Sequence, residues 1–183
     1  ILPMIILRRI ECALAGTKDA VCKAYEVNRD IAEAMLRRKS GYPFYNTSKW
    51  TLAKLLGDAP QLPANLTTYI DAFSPNIKQI FSDLEFDKEI KKMHKGAKLT
   101  GVVRKFSELD LDPARVNNVA MGYMFEEVIR RFSENAEAGD HYTPREVVQL
   151  ITRLALAEGC DDLREPGKVI KVGDFACGTG GML

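Results

Sequence analysis

Apolar residues recur every three or four positions along most of the chain, the spacing of helices that bury one face and leave the other in water. The opening run Ile1-Leu2-Pro3-Met4-Ile5-Ile6-Leu7 is short and ends at Arg8-Arg9, and helical spacing continues through Ile10 and Leu14. It reads as the start of a buried helix rather than as half of a signal peptide. Residues 17–38 are rich in alanine and charge with no glycine or proline, which predicts continuous helix until Gly41, Pro43 and Asn46 break the pattern. Helices are expected around Trp50, Leu52, Leu55 and Leu56 up to Gly57, and around Leu66, Tyr69, Ile70 and Phe73. The same spacing continues at Ile77, Ile80 and Phe81 after Pro75, and at Leu99, Val102, Val103 and Phe106. These stripes are read as core packing, so the chain to about residue 116 is expected to be an all-α domain.

The pattern then changes. Met121, Phe125, Val128, Ile129 and Phe132 give one more helix an apolar face, with Glu126, Glu127, Arg130 and Arg131 on its other side. Ser133 to Asp140 is polar and reads as a loop. Thr143-Pro144-Arg145-Glu146 opens a helix, with Thr143 as N-cap, Pro144 in the first turn and Glu146 closing a capping box. Val147, Leu150, Ile151 and Leu154 are its expected buried face. After the Pro166-Gly167 turn, Val169-Ile170-Lys171-Val172 reads as a short strand running into Asp174 and the glycines Gly178, Gly180 and Gly181.

Composition adds limits. The 26 basic and 25 acidic residues leave a net charge of +1, which neither demands nor excludes a nucleic-acid partner. The four cysteines form no C-x-x-C pair and only two histidines accompany them, which argues against a zinc site. A chain this sparse in cysteine is expected to keep reduced thiols in the cytoplasm. No apolar run reaches the roughly 18 residues of a membrane span. A start inside an apolar segment and a stop a few residues after a glycine turn are read as truncation at both ends.

The strand end at Asp174 is the strongest chemical signal. Ligands of open α/β sheets bind beyond the carboxyl ends of strands, and glycines there let the backbone come close. A helix N-terminus offers free N–H groups to an anion. The pattern fits a dinucleotide fold, a methyltransferase or a plain tight turn. Leu183 stands where a dinucleotide fingerprint would have its third glycine, and no Gly-Lys-Ser/Thr follows for a P-loop. His141-Tyr142, just ahead of the capped helix, puts an aromatic pair beside that N-terminus. Lys88, Lys91, Lys92, Lys95, Lys98, Arg104 and Lys105 crowd one segment with few acids. They read as a solvated face or as a phosphate-contacting one. Arg8-Arg9 and Arg37-Arg38-Lys39 read as surface or subunit-interface charges.

Tyr142-Thr143-Pro144-Arg145-Glu146 followed by Asp174-Phe175-Ala176-Cys177-Gly178-Thr179-Gly180-Gly181-Met182-Leu183 resembles the modification subunits of type I restriction–modification systems. Met121-Gly122-Tyr123-Met124-Phe125-Glu126 and Leu2-Pro3-Met4-Ile5-Ile6-Leu7-Arg8-Arg9 resemble further segments of that family. One departure is Phe175, where the family commonly has proline. The resemblance implies a mainly α chain: a helical N-terminal domain over 1–116, then over 117–183 the truncated start of a Rossmann-like α/β methyltransferase domain. It also implies N6-adenine methylation of double-stranded DNA with S-adenosyl-L-methionine as cofactor. Specificity and restriction subunits would be partners, with two modification subunits per complex. Carried over by motif, Asp140, His141, Tyr142, Thr143, Pro144 and Arg145 wall the cofactor. Gly178, Thr179, Gly180 and Gly181 form the turn beneath its methionine part, and Asp174 meets its ammonium. Lys91, Lys92, Lys95 and Lys98 are the DNA-contact candidates.

The family's Asn/Asp-Pro-Pro-Phe/Tyr loop, which holds a base rotated out of the duplex, does not occur in these residues. No catalytic residue is therefore assigned, and the chain alone is expected to be inactive. The alternative reading is a helical interaction module joined to a nucleotide- or NAD-binding domain.

Overall fold

On α1 (Leu2–Leu14), Met4, Leu7, Ile10 and Leu14 are buried along one stripe, as their spacing predicts. Glu11 lies on that stripe too and is equally buried. The computed structural model describes residues 1–133 together with 143, 145–157, 159–160, 163, 167, 171, 173 and 175. It divides into two units, Ile1–Asn118 and Val119–Leu183.

The first unit is helical throughout. After α1 come α2 (Lys18–Val27), α3 (Glu33–Ser40), α4 (Leu52–Leu55), a 3-10 turn (Ala59–Gln61), α5 (Leu62–Asp71), α6 (Pro75–Asp83), α7 (Phe86–Lys95) and α8 (Leu99–Glu108). One core unites α1 with α4 to α8. α8 packs on α1, α4 and α7, while α5 packs on α4, α6 and α7. Rings run through this core in sequence: Tyr69 to Phe73 at 5.3 Å, Phe73 to Phe81 at 6.1 Å and Phe81 to Phe86 at 5.6 Å. A second, smaller cluster of Val21, Leu36 and Tyr45 joins α2 to α3.

Two expectations for this unit change. Residues 17–38 are not continuous helix: α2 stops at Val27 and α3 starts at Glu33. Asn28 is extended, and its side chain accepts the amide of Asp30 at 3.0 Å, the local bond by which asparagine competes with helix. The break lets the two halves fold back so that Val21 meets Leu36. Ile80 lies on the solvent side of α6, because Ile77 and Phe81 already fill its buried stripe. The predicted stop after α3 holds: Gly41 has φ 74°, the left-handed C-terminal position that glycine adopts without a Cβ clash.

Ends and loops are pinned by named bonds. Thr51 caps α4 by accepting the amide of Lys54 at 3.1 Å. The segment after α3 is stitched to the α5–α6 turn by Thr47 N–H to Ala72 O at 3.0 Å and Ser74 N–H to Tyr45 O at 3.0 Å. Both ties lie beside the Asn46–Phe73 bridge.

In the second unit, α9 begins at the boundary residue (Asn118–Ser133), and α10 spans Arg145–Ala155. Met121 of α9 is buried, and Phe125, Val128 and Ile129 are partly so. α10 corrects the expectation for its apolar face. Val147, Leu150, Ile151 and Leu154 are 42%, 57%, 42% and 66% exposed, and Val148 is the buried residue at 8%. The stripe is amphipathic in sequence, but nothing among the described residues covers it. No strand occurs among the described residues either. Of the expected strand, Lys171 belongs to no regular element, and Val169, Ile170 and Val172 lie outside the described residues. Among the described residues no helix is long and apolar enough to cross a membrane.

Candidate functional site

α7 builds the basic face. Phe86 and Ile90 are buried and Met93 packs partly against the core. At 3.6 residues per turn this sends Lys88, Lys91, Lys92 and Lys95 to the opposite, solvent side. Asp87 and Glu89 fall on its flanks. Lys88 pairs with Glu85, and Lys92 lies 3.7 Å from Glu89. Both pairs are exposed and hold their partners weakly. Lys91, Lys95 and Lys98 have no ion-pair partner among the described residues. Lys98, exposed, is the N-cap residue of α8 and so continues the basic edge past the end of α7.

The second polar constellation has no motif in the sequence. Glu11 is a carboxylate at a core position, and its oxygens accept from three donors: Arg8 Nη1 at 2.6 Å, the Leu52 amide at 2.7 Å and the Tyr69 hydroxyl at 2.9 Å. Burial, then the charge and hydrogen bond of Glu11, push the Tyr69 phenol well above its ordinary range. Beside it Lys18 Nζ donates to Trp50 O and to Asn46 Oδ1 and lies 4.4 Å from the Tyr69 ring centre. Asn46 Nδ2 donates to Tyr69 O at 2.9 Å. Burial lowers the Lys18 pKa to about 8, although the Glu11 charge pulls the other way.

The cluster opens on a cleft of about 650 Å³ lined by Arg8, Lys18, Cys22, Lys54 and Asp110 among others. Its chemistry is that of a fastener. Lys18 already spends its ammonium on two oxygens and a ring face. Cys22 donates to Ser48 O at 3.3 Å, and burial raises its thiol pKa, opposite to the shift a nucleophilic cysteine needs. The one available signal in the sequence is Glu11, an acid on an otherwise apolar stripe. Arg8 and Arg9, read from the sequence as surface or subunit-interface charges, are half-buried and bind oxygens of this same unit.

For the cofactor motif, Thr143 is exposed and Arg145 is the first residue of α10, with Glu146 in its first turn. Asp140, His141, Tyr142, Pro144, Asp174, Gly178, Thr179, Gly180 and Gly181 lie outside the described residues. Among the described residues no cluster of His, Cys, Asp and Glu could hold a metal ion.

The geometry thus defines a chain whose first unit is a helical domain on a main core with a smaller satellite cluster, followed by a second unit opened by amphipathic helices. Residues 1–106 match the family model of the HsdM N-terminal domain, and residues 117–183 match that of N-6 DNA Methylase. The chain belongs to the HsdM N-terminal domain family. It is similar to the type I restriction enzyme EcoEI methylase subunit of Escherichia coli, at 31% identity over 123 residues. That match covers 65% of this chain and 22% of the relative, so the chain spans well under a third of the relative's length. No solved structure matches the chain.

Proposed function

We propose that this chain is part of the modification subunit of a type I restriction–modification enzyme, which transfers a methyl group from S-adenosyl-L-methionine to adenine N6 in double-stranded DNA. One observation carries the reading. An HsdM N-terminal match and an N-6 DNA Methylase match follow each other in one chain, and the second contains both motifs read from the sequence. S-adenosyl-L-methionine, when bound, supplies the methyl group. The residues proposed to hold it are Asp140 to Arg145 on one side and Asp174, Gly178, Thr179, Gly180 and Gly181 on the other. The domain division at 116/117, a cytoplasmic location, the specificity and restriction subunits as partners and a pair of modification subunits per complex belong to the same proposal.

The test is transfer of labelled methyl groups into duplex DNA by the whole subunit assembled with its specificity subunit. Label on adenine N6 supports the reading, and its absence from an assembled, DNA-binding complex refutes it. The 183-residue chain by itself is expected to transfer nothing, since no Asn/Asp-Pro-Pro loop is present to hold the target base. Turnover by this chain would overturn that expectation.

The DNA-contact part of the proposal rests on the outward face of α7. Lys91, Lys92, Lys95 and Lys98 would meet phosphates, which adds affinity without reading sequence. Replacing all four with glutamine in the assembled subunit should flatten the salt dependence of DNA binding, by about 0.9 in slope for each phosphate no longer neutralised. An unchanged slope would return these lysines to ordinary solvent duty.

A further inference from the structure

The segment between α8 and α9, Leu109 to Asn117, contains no helix or strand, yet it is held to the first helix of the chain. Arg8 Nε donates to Leu109 O at 2.6 Å. Arg9 Nη1 donates to Leu111 O at 2.8 Å and to Val116 O at 2.6 Å, and its Nη2 donates to Asn118 Oδ1 at 3.1 Å. These bonds join residues more than a hundred positions apart. Leu111 is the one fully buried apolar side chain of the segment. We propose that Arg8 and Arg9 form a clasp that lashes this connecting segment to the helical unit, so that chain freedom between the two units begins at Asn118 rather than at Leu109.

The chemistry suits the role. A guanidinium presents its donors as a planar, pre-organised fork, so one Arg9 can hold three acceptors spread over the segment. The acceptors are two main-chain carbonyls and the side-chain oxygen of the residue that starts α9. The clasp therefore tightens on the exit point of the chain. Released, the nine residues from Leu109 to Asn117 could extend to roughly 30 Å. Held, they add almost nothing to the reach of the chain beyond Asn118. The inference goes beyond the enzymatic reading and stands even if that reading fails.

The rival explanation is that the segment holds itself. Asp110 Oδ1 accepts the Asp112 amide at 3.1 Å, Asp112 Oδ1 accepts the Ala114 amide at 2.7 Å, and Asp110 pairs with Arg115 at 2.6 Å. Amide exchange and limited trypsin digestion of the 183-residue chain separate the two. The Arg115 and Val116 amides donate to Asp112 O at 3.0 and 2.8 Å and report on the segment. In Arg9→Met they should exchange at least tenfold faster, and trypsin should cut after Arg115 at least tenfold faster, while amides of α5 keep their protection. Arg9→Lys keeps the charge and perturbs the fold less. It should show the same local release, because a point ammonium cannot span three acceptors. Asp110→Asn should leave both rates near wild type. The clasp is overturned if both Arg9 variants stay within twofold of wild type. It is also overturned if Asp110→Asn frees the segment as much as Arg9→Met does, or if α5 loses protection together with the segment in both Arg9 variants.

Discussion

α7 and α10 are built from the same kind of pattern and meet different fates. Each has an acid in its first turn, a basic residue in its last, and apolar residues three or four apart. In α7 the stripe of Phe86 and Ile90 is buried by α5, α6 and α8, which leaves the lysines outward. In α10 the stripe of Val147, Leu150, Ile151 and Leu154 is exposed. Periodicity says which face of a helix wants cover. Whether cover is present depends on the other elements, and the helical unit brings its own while α10 has none among the described residues. An uncovered stripe contributes little to stability, because the apolar area is never removed from water.

The most severe test of the covered region is its buried carboxylate. Glu11→Ala should cost about 3–5 kcal/mol, since it strands Arg8, the Tyr69 hydroxyl and the Leu52 amide at once. Urea unfolding followed by the fluorescence of Trp50, the single tryptophan, reads this unit directly. A loss under about 1 kcal/mol would mean that water reaches the cluster, and the region would be less closed than its buried side chains indicate.

The next test addresses the comparison itself. Ile90→Ala on α7 should cost about 2–5 kcal/mol as a core truncation. Leu154→Ala on α10 should stay within about 0.5 kcal/mol, as exposed substitutions do. Unfolding followed by circular dichroism, together with amide exchange of each helix, distinguishes them. If Leu154→Ala costs as much as Ile90→Ala, the α10 stripe is covered in solution and the contrast collapses.

The same contrast separates the parts of the fold that sequence reveals from those it conceals. The helices α4, α5, α6 and α8 are legible because proline, glycine and the apolar spacing agree at many of their boundaries, as at Gly57 and Pro75. The break at Asn28 is not, because one side-chain bond to the Asp30 amide decides it and alanine-rich flanks conceal it. The lysines of α7 are legible as a charged segment with few acids. The stripe of Phe86, Ile90 and Met93 that turns them outward is not among the expected helices and emerges only in the packed unit. The Glu11–Lys18–Asn46–Tyr69 cluster is not legible. Its members come from α1, α2, the segment after α3 and α5, and only packing brings them together. Arg8 and Arg9 look like surface charge until the segment a hundred residues on is in place. The cofactor site is a matter of resemblance: of the residues proposed to hold the cofactor, Thr143 and Arg145 alone are among the described residues.

The smallest expected effect is a pH slope, and it tests whether the covered region is dry enough to perturb a charge. Burial lowers the Lys18 pKa from 10.5 to about 8, so between those values the folded chain holds fewer protons than the unfolded one. Stability must then rise with pH across that window, and the contribution is lost as pH falls through about 8. The gain should be about 1 kcal/mol from pH 8 to pH 9. Cys22 works in the opposite sense, because its raised pKa makes the fold lose stability as pH climbs past its ordinary value of 9.0. Tyr69 does the same only above 10, and Cys22 is common to both chains, so the difference between wild type and Lys18→Met over pH 8 to 9 reports Lys18. Lys18→Met lowers stability overall by leaving Trp50 O without its donor, but the relevant quantity is the slope. Urea midpoints of wild type and Lys18→Met should converge as pH falls from 9 to 8 and separate as it rises. Parallel lines would show that Lys18 keeps an ordinary affinity for its proton, so that the region here called covered lets in enough water to solvate an ammonium.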